Sequence, residues 1–267
     1  MKKLVLANQK GGVGKSAIAV QFAYYLVKSG LRVLFIDFDH QKNSTNPIIK
    51  SGKAELAPFS SSDLLQGAYP RGYNSQKPFL LIGGDDNLSA LERKPDSHNE
   101  YVSTLHNYLR EVDREFDVCI LDTNPNPDIR YAAALITSDF LLSPVMLNQE
   151  ALDGIVGLLN HPRYGFIKIQ KVMNKQLQLI GILPNLVEAT PFQKENFKSL
   201  VKTYSSLLIM IDQSVNQFAF IPNRTAIPEA QASGEFIAEM KKTSARDAWR
   251  LVYPSFHAIA KKMQLGI

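Results

Sequence analysis

What this chain lacks narrows its chemistry first. It has one cysteine, Cys119, among 267 residues, which excludes an intramolecular disulfide framework, a Cys-rich zinc site and an iron-sulfur cluster held by four thiolates of one chain. The five histidines show no metal-ligand spacing, and no G-x-S-x-G elbow marks a serine hydrolase. Long apolar runs are missing too. None approaches the roughly 18 residues of a membrane span, and Leu4 to Ala7 near the N-terminus falls short of the roughly 7 to 15 of a secretory core. The expectation is a cytoplasmic chain without signal peptide or membrane span, with Cys119 buried in a strand.

Compositional bias is absent as well. Glycine (15) and proline (14) are unexceptional, and 45% apolar with 21% charged residues is the balance of an ordinary globular protein. At roughly 150 residues per domain the length admits one large α/β domain or two small ones. No internal repeat is found and no boundary divides the second half, so one domain over residues 1–267 is expected.

Charge is distributed unevenly. Residues 1–150 hold 16 Lys and Arg against 17 Asp and Glu, a net of −1, whereas residues 151–267 hold 14 against 8, a net of +6. Such asymmetry suggests a polyanionic partner, nucleic acid or an anionic lipid surface, with solvated helix faces as the plain alternative.

Apolar strand-like runs alternate with helical periodicity. Lys3 to Asn8 reads as a strand, residues 9–14 as a glycine-rich turn, and Lys15 to Ser29 as a helix with Ile18, Phe22 and Leu26 on one face, stopped by Gly30. Leu31 to Phe38, Phe79 to Ile82, Asp117 to Thr123, Phe140 to Leu147 and Gln178 to Pro184 read as further strands. Helices are expected over Glu100 to Phe116, Asp128 to Thr137, Ala151 to Leu159, Tyr164 to Lys175 and Pro191 to Leu207. Nearly continuous apolar strands alternating with helices imply a doubly wound, mostly parallel α/β sheet covered on both faces. Leu208 to Ile211 and Phe218 to Pro222 are expected as late strands. Helices are expected near Ser233 to Met240 and over Ser244 to Met263, the last broken or kinked at Pro254. Residues 41–78, weakly periodic, are expected to form a long surface excursion.

The strongest chemical signal is Lys10-Gly11-Gly12-Val13-Gly14-Lys15-Ser16 between a strand and a helix. Glycines let backbone N–H groups curl around phosphates, the helix N-terminus adds partial positive charge, Lys15 reaches the β and γ phosphates, and Ser16 suits Mg²⁺. An ordinary P-loop has glycine where Gln9 stands. A dinucleotide fingerprint, Gly12-x-Gly14-x-x-Ala17 with Asp37 as ribose acid, is the rival, but it leaves Lys15, Ser16 and a second strand-ending acid without a use.

The same segment resembles the deviant Walker A loop of the ParA and MinD ATPases. By that resemblance residues 10–17 (Lys10, Gly11, Gly12, Val13, Gly14, Lys15, Ser16 and Ala17) bind ATP, and Lys10 is the signature lysine that reaches the partner's nucleotide across a sandwich homodimer. Asp37-Phe38-Asp39-His40-Gln41-Lys42-Asn43-Ser44-Thr45 is similar to the family's switch I, D-x-D-P-Q-G-N-x-T. The match makes Asp39 the carboxylate that directs the attacking water, beside the metal, with Lys10 and Lys15 as its catalytic companions. His40 and Lys42 replace the usual Pro and Gly. Val118 to Asp122 has the Walker B form, so Asp122 joins Ser16 and Asp39 as an Mg²⁺ residue. Thr123-Asn124-Pro125 resembles switch II with Asn124 for the first Pro. Later segments, Gly181 to Asn185 and Phe220 to Arg224, resemble the family's adenine border and suggest Asn185 and Pro222.

Three basic stripes stand at helical spacing: Lys168, Lys171 and Lys175; Lys194, Lys198 and Lys202; Lys242, Arg246 and Arg250. They favour the ParA branch, which rides non-specific duplex DNA, over the MinD branch, which rides membranes on an amphipathic tail. Trp249, Phe256, Ile259 and Met263 are accordingly expected in the core. No base-reading motif is present, and the phosphate loop begins too early for a preceding operator-binding domain. The resemblance therefore implies a ParA-type ATPase with ATP and Mg²⁺ as cofactors, nucleoid-associated when ATP-bound, that dimerises and hydrolyses slowly until stimulated by a ParB-type protein or cargo adaptor. A MinD-like positioning ATPase and a nucleotide-gated scaffold with little hydrolysis are the alternatives.

Overall fold

The structure, a computed structural model, describes residues 1–73, 75–148 and 151–267, with the backbone alone for 151–153. The chain opens as a βαβ unit: β1 (Lys2–Leu6), α1 (Lys15–Lys28) and β2 (Val33–Asp37). Three short elements follow, α2 (Thr45–Ser51), β3 (Glu55–Leu56) and α3 (Ser61–Leu65), before β4 (Phe79–Ile82). The alternation continues with α4 (His98–Glu111), β5 (Val118–Asp122), α5 (Ile129–Thr137), β6 (Phe140–Met146), α6 (Ala151–Asn160), α7 (Phe166–Val172) and β7 (Gln178–Asn185). The chain ends with α8 (Pro191–Tyr204), β8 (Met210–Asp212), β9 (Gln217–Phe218), α9 (Ala226–Ser233) and α10 (Thr243–Lys262).

Seven strands form one sheet in the order β3-β4-β2-β5-β1-β6-β7, and every pairing in it is parallel. The expected doubly wound class is what the strands' two-faced burial produces. Along β5, Val118 and Ile120 join the core cluster under α1, α9 and α10. Cys119 and Leu121 point the other way, into the cluster under α3, α4, α5 and α7. Both faces are dry, so such strands show no polar alternation. Burial also pushes the Cys119 thiol far above its ordinary pKa, which leaves it inert.

Register sets the position of the acids. Leu6 and Asp37 both lie opposite Asp122 across the central three strands, and Met146 lies opposite Asn185 on the outer pair. Their carboxyl ends therefore form one edge, from which the loops that follow β1, β2, β5 and β7 emerge.

Four elements differ from expectation. Residues 41–78 are not a bare excursion: α2, β3 and α3 lie there and bury Ile48, Phe59, Leu64 and Leu65. The elements are too short for periodicity to reveal, although Ser60 and Asp63 make a reciprocal capping box at the start of α3. The late strands shrink to β8 and β9, which pair antiparallel with each other, while the flanking Leu208 and Pro222 make single parallel bridges to Ile182 and Val187 along β7 and just beyond it. The helix expected near Ser233 to Met240 instead precedes that stretch as α9. Its Pro228 occupies the first turn, where N–H groups need no helical partner, and Gly234, at φ +77°, ends it. Finally, α10 runs through Pro254 as one helix. The carbonyl deprived of its partner belongs to Arg250, which is exposed. Beside the proline, Ser255 Oγ donates to the Phe220 carbonyl at 2.8 Å and accepts from its N–H at 2.9 Å.

The apolar face of α10 lies in the core, as expected. Phe256, Ile259 and Met263 are fully buried, and Trp249 sits edge-on to Phe236 at 5.0 Å between ring centres. That face is taken by α1 and α9 rather than presented to a lipid surface. Among the described residues no helix is long and apolar enough to cross a membrane.

Candidate active site

The loop after β1 is shaped by two left-handed glycines, Gly12 at φ +74° and Gly14 at φ +85°. Gly14 is required twice over, because a Cβ there would lie 2.1 Å from Asn185 Nδ2. Asn185 Nδ2 donates to the Val13 carbonyl at 2.7 Å. On the other side Asn8 donates to the Pro144 carbonyl at 2.8 Å and accepts from the Lys10 N–H at 2.8 Å. Two buried asparagines thus bracket the turn. No side chain caps α1, so its first-turn N–H groups face the cleft and suit an anion.

Beneath the loop lie a lysine and two acids. Burial lowers the Lys15 pKa, while the negative charges of Asp122 and Asp39 act against that shift, so all three groups share one field. Asp122 is fully buried, and burial raises its pKa; acting against that shift are the Ser16 hydroxyl and Ser44, whose Oγ donates to its Oδ2 at 2.7 Å. Its Oδ1 is buried with no hydrogen-bond partner. An orphaned carboxylate oxygen beside a hydroxyl is a hard-oxygen donor set, and it fits Mg²⁺.

The loop after β2 is held differently. Asp37, fully buried, accepts from the Asp39 N–H at 3.0 Å, the Thr45 N–H at 2.9 Å and Thr45 Oγ1 at 2.7 Å. Burial first, and the charge of Asp122 second, push its pKa up to about 7. Asp37 therefore ties both ends of residues 39–45 together, and a ribose-binding role is closed to it. Asp39 is 5% exposed, and its Oδ1 accepts from the Gln41 N–H at 3.0 Å. Lys42, standing where the resembled pattern has glycine, keeps the glycine conformation at φ +59° and pairs with Asp86 at 2.9 Å. Behind the loop, a Cβ on Gly84 would lie 2.5 Å from the Asp39 carbonyl, so a glycine two residues past β4 lets the loop close.

These loops enclose two adjoining clefts of about 440 and 570 Å³. The smaller is walled by Gly11, Lys15, Ser16, Asp39, His40 and Asn124, with Asp122 behind it. The larger runs from Gly14 and Ala17 past Asn185 to Asn223 and Gln231. Lys10 and Val13 belong to the loop but not to the lining of either cleft. Asn185 is thus brought to the loop, but Pro222 lines a neighbouring groove with Phe197 and Arg224, while the next residue, Asn223, enters the larger cleft. Sequence reasoning missed Asn223, Gln231, and the Asp128–Arg130 pair beside His40. Only Asp128, placed like a helix N-cap, had any local signal.

Three comparisons bear on this edge of the sheet. A family model described as "AAA domain" matches residues 1–179. Protein IncC of Escherichia coli is 30% identical over 276 residues, spanning 100% of this chain and 71% of that protein. The chromosome-partitioning ATPase Soj of Thermus thermophilus is 28% identical over 91% of this chain and 90% of its own length. Among solved structures, an ATP complex of McdA from Cyanothece superposes with a TM-score of 0.78 at 20% identity, covering 99% of this chain and 96% of that one; this likeness concerns the fold.

Proposed function

This chain belongs to the ParA/MinD family of deviant Walker A ATPases, on its Soj-like branch, and on that premise we propose that it is a partition ATPase cycling between an ATP-bound DNA-riding dimer and a released state. The observation that carries the proposal is the convergence of Lys15, Ser16 and Asp39 on one cleft beneath an uncapped helix N-terminus, with the buried Asp122 interacting with all three.

In this reading the loop N–H groups and Lys15 hold the phosphates, and Asn185 with Asn223 borders the base and ribose. Ser16 and Asp122, whose Oδ1 has no hydrogen-bond partner, would hold Mg²⁺, which when bound would neutralise charge on the leaving phosphates. Asp39 orients the attacking water and lies within the same electrostatic field as Lys15. Lys10, outside the clefts of its own subunit, reaches the partner's nucleotide, which makes hydrolysis depend on dimerisation. A ParB-type protein or cargo adaptor stimulates the step.

The basic stripes supply the DNA face. All nine residues are exposed, but Lys242 is paired with Glu229 at 2.8 Å and Arg250 with Asp247 at 3.4 Å. Lys194 of the α8 stripe lines the groove that also holds Arg224 and, from α10, Leu251. That shared edge of α8, Arg224 and α10 is assigned the duplex, by sequence-independent phosphate contacts.

The test is duplex binding with Mg-ATP, with ADP and without nucleotide across a salt series. ATP-dependent, salt-sensitive binding retained in Asp39→Ala supports the proposal; a Lys15→Ala chain that binds ATP with unchanged affinity would sink the site assignment.

A further inference from the structure

Two positions where the chain departs from the resembled pattern, His40 after β2 and Asn124 after β5, are 84 residues apart in sequence, yet one buried ion pair touches both. Arg130, 3% exposed near the start of α5, donates through Nε to Asp128 Oδ2 at 3.1 Å, and its Nη2 reaches the same oxygen. Its remaining arm, Nη1, donates to His40 Nδ1 at 3.3 Å. Because that imidazole nitrogen accepts from Arg130, its 3.4 Å approach to Asp39 Oδ1 is proximity and not a hydrogen bond, and the ring's other nitrogen meets the Gln41 amide at 2.8 Å. On the far side Asn124 Nδ2 donates to Asp128 Oδ2 at 3.0 Å, while Asn124 Oδ1 is buried without a partner.

A pair serving stability alone needs no third and fourth partner. Asp128 already caps α5 by accepting from the Arg130 N–H at 3.0 Å and the Tyr131 N–H at 3.4 Å. The forked guanidinium adds a rigid connection from that cap to the side chain next to Asp39. Both His40 and Asn124 wall the same cleft. Whatever shifts one loop is therefore transmitted to the other through Asp128 and Arg130.

We infer that Arg130 is a positioning residue for hydrolysis: with Asp128 it fixes His40 against Asp39 and Asn124 against the opposite wall, so that the two loops set the attack geometry as one unit. The inference rests on the assignment of Asp39 as the water-directing carboxylate. It gives the replacements at His40 and Asn124 a shared physical role, since the proline of the resembled pattern could make neither side-chain contact.

The experiment uses the full chain and three readouts: ATP affinity with a fluorescent analogue, steady-state phosphate release with duplex DNA, and thermal midpoint. Arg130→Lys keeps a cation beside Asp128 but loses the fork. The double variant Asp128→Asn with Arg130→Leu removes both charges and retains a capping side chain, so it leaves no unpaired buried ion. Both are expected to lower kcat about tenfold while ATP affinity stays within about twofold, the signature of misplacement rather than lost binding. In a cycle of His40→Ala and Asn124→Ala, kcat effects should depart from multiplicativity by about fivefold in the parent chain and become multiplicative in the double-variant background. Parent-like kcat in both Arg130 backgrounds, or multiplicative effects throughout, overturns the inference. A parent chain that neither binds nor hydrolyses ATP would instead overturn the functional assignment itself.

Discussion

The loop after β1 and the loop after β2 face each other across the same cleft and are stabilised in opposite ways. The first uses glycine wherever its backbone is left-handed, at Gly12 and Gly14, and is braced by amides from two buried asparagines. The second places a lysine, Lys42, at its left-handed position and is closed by side-chain bonds converging on the buried Asp37 carboxylate. A loop held by backbone permissiveness is ready-made for phosphate. A loop held by a few polar contacts and carrying a strained residue has a smaller margin, and that suits a segment whose conformation must answer to nucleotide and partner.

The largest effect should come from breaking the first loop. Gly14→Val must displace Asn185 and adopt a φ that branched residues avoid, so ATP affinity should fall by at least about 100-fold in a fluorescence titration while the sheet's far-UV signal is kept. Next in size is Thr45→Val, which removes the 2.7 Å hydroxyl bond to Asp37 and the acceptor for the Gly84 N–H at 2.8 Å. It should cost about 2 kcal/mol in denaturant unfolding and lower kcat more than ATP affinity.

Asp37 sharpens the comparison through pH. Its folded pKa of about 7 lies above the ordinary carboxylate value, so folding favours its protonated form. That contribution is fully present below about pH 4 and is lost as pH rises through about 7. Asp37→Asn should therefore be more favourable relative to the parent at pH 8 than at pH 5, by a difference readable in thermal midpoints. The smallest effect is a gain: Lys42→Gly relieves a left-handed side chain worth about 1 kcal/mol, less the entropy that glycine adds to the unfolded chain and the exposed contact to Asp86. A destabilised Lys42→Gly would show that the second loop depends on the lysine rather than tolerating it.

The contrast also explains what was legible beforehand. The phosphate loop, the strand-ending acids and the doubly wound sheet were readable because each is a local pattern: glycine spacing beside Lys15, apolar runs ending at Asp37 and Asp122, and alternation of two periods. Contacts between distant segments left no such trace. Nothing in the sequence joins Arg130 to His40, or turns Asn185 Nδ2 toward the Val13 carbonyl. Short elements were also lost, because α3 and β3 span less than two periods of their own repeat. Pro254 misled for a different reason: the rule against proline in helices assumes a carbonyl with nowhere to turn, and Arg250 lies exposed to solvent.

The central claim is that the two loops form one ATP-hydrolysing cleft in which Asp39 acts on bound nucleotide rather than in binding it. Its most direct test is phosphate release measured alongside ATP affinity for the parent chain and Asp39→Ala, with Mg²⁺ and duplex DNA present. The account predicts an affinity unchanged within about twofold and hydrolysis reduced by about 100-fold or more. Equal hydrolysis by the two chains, or loss of ATP binding in Asp39→Ala, would contradict it.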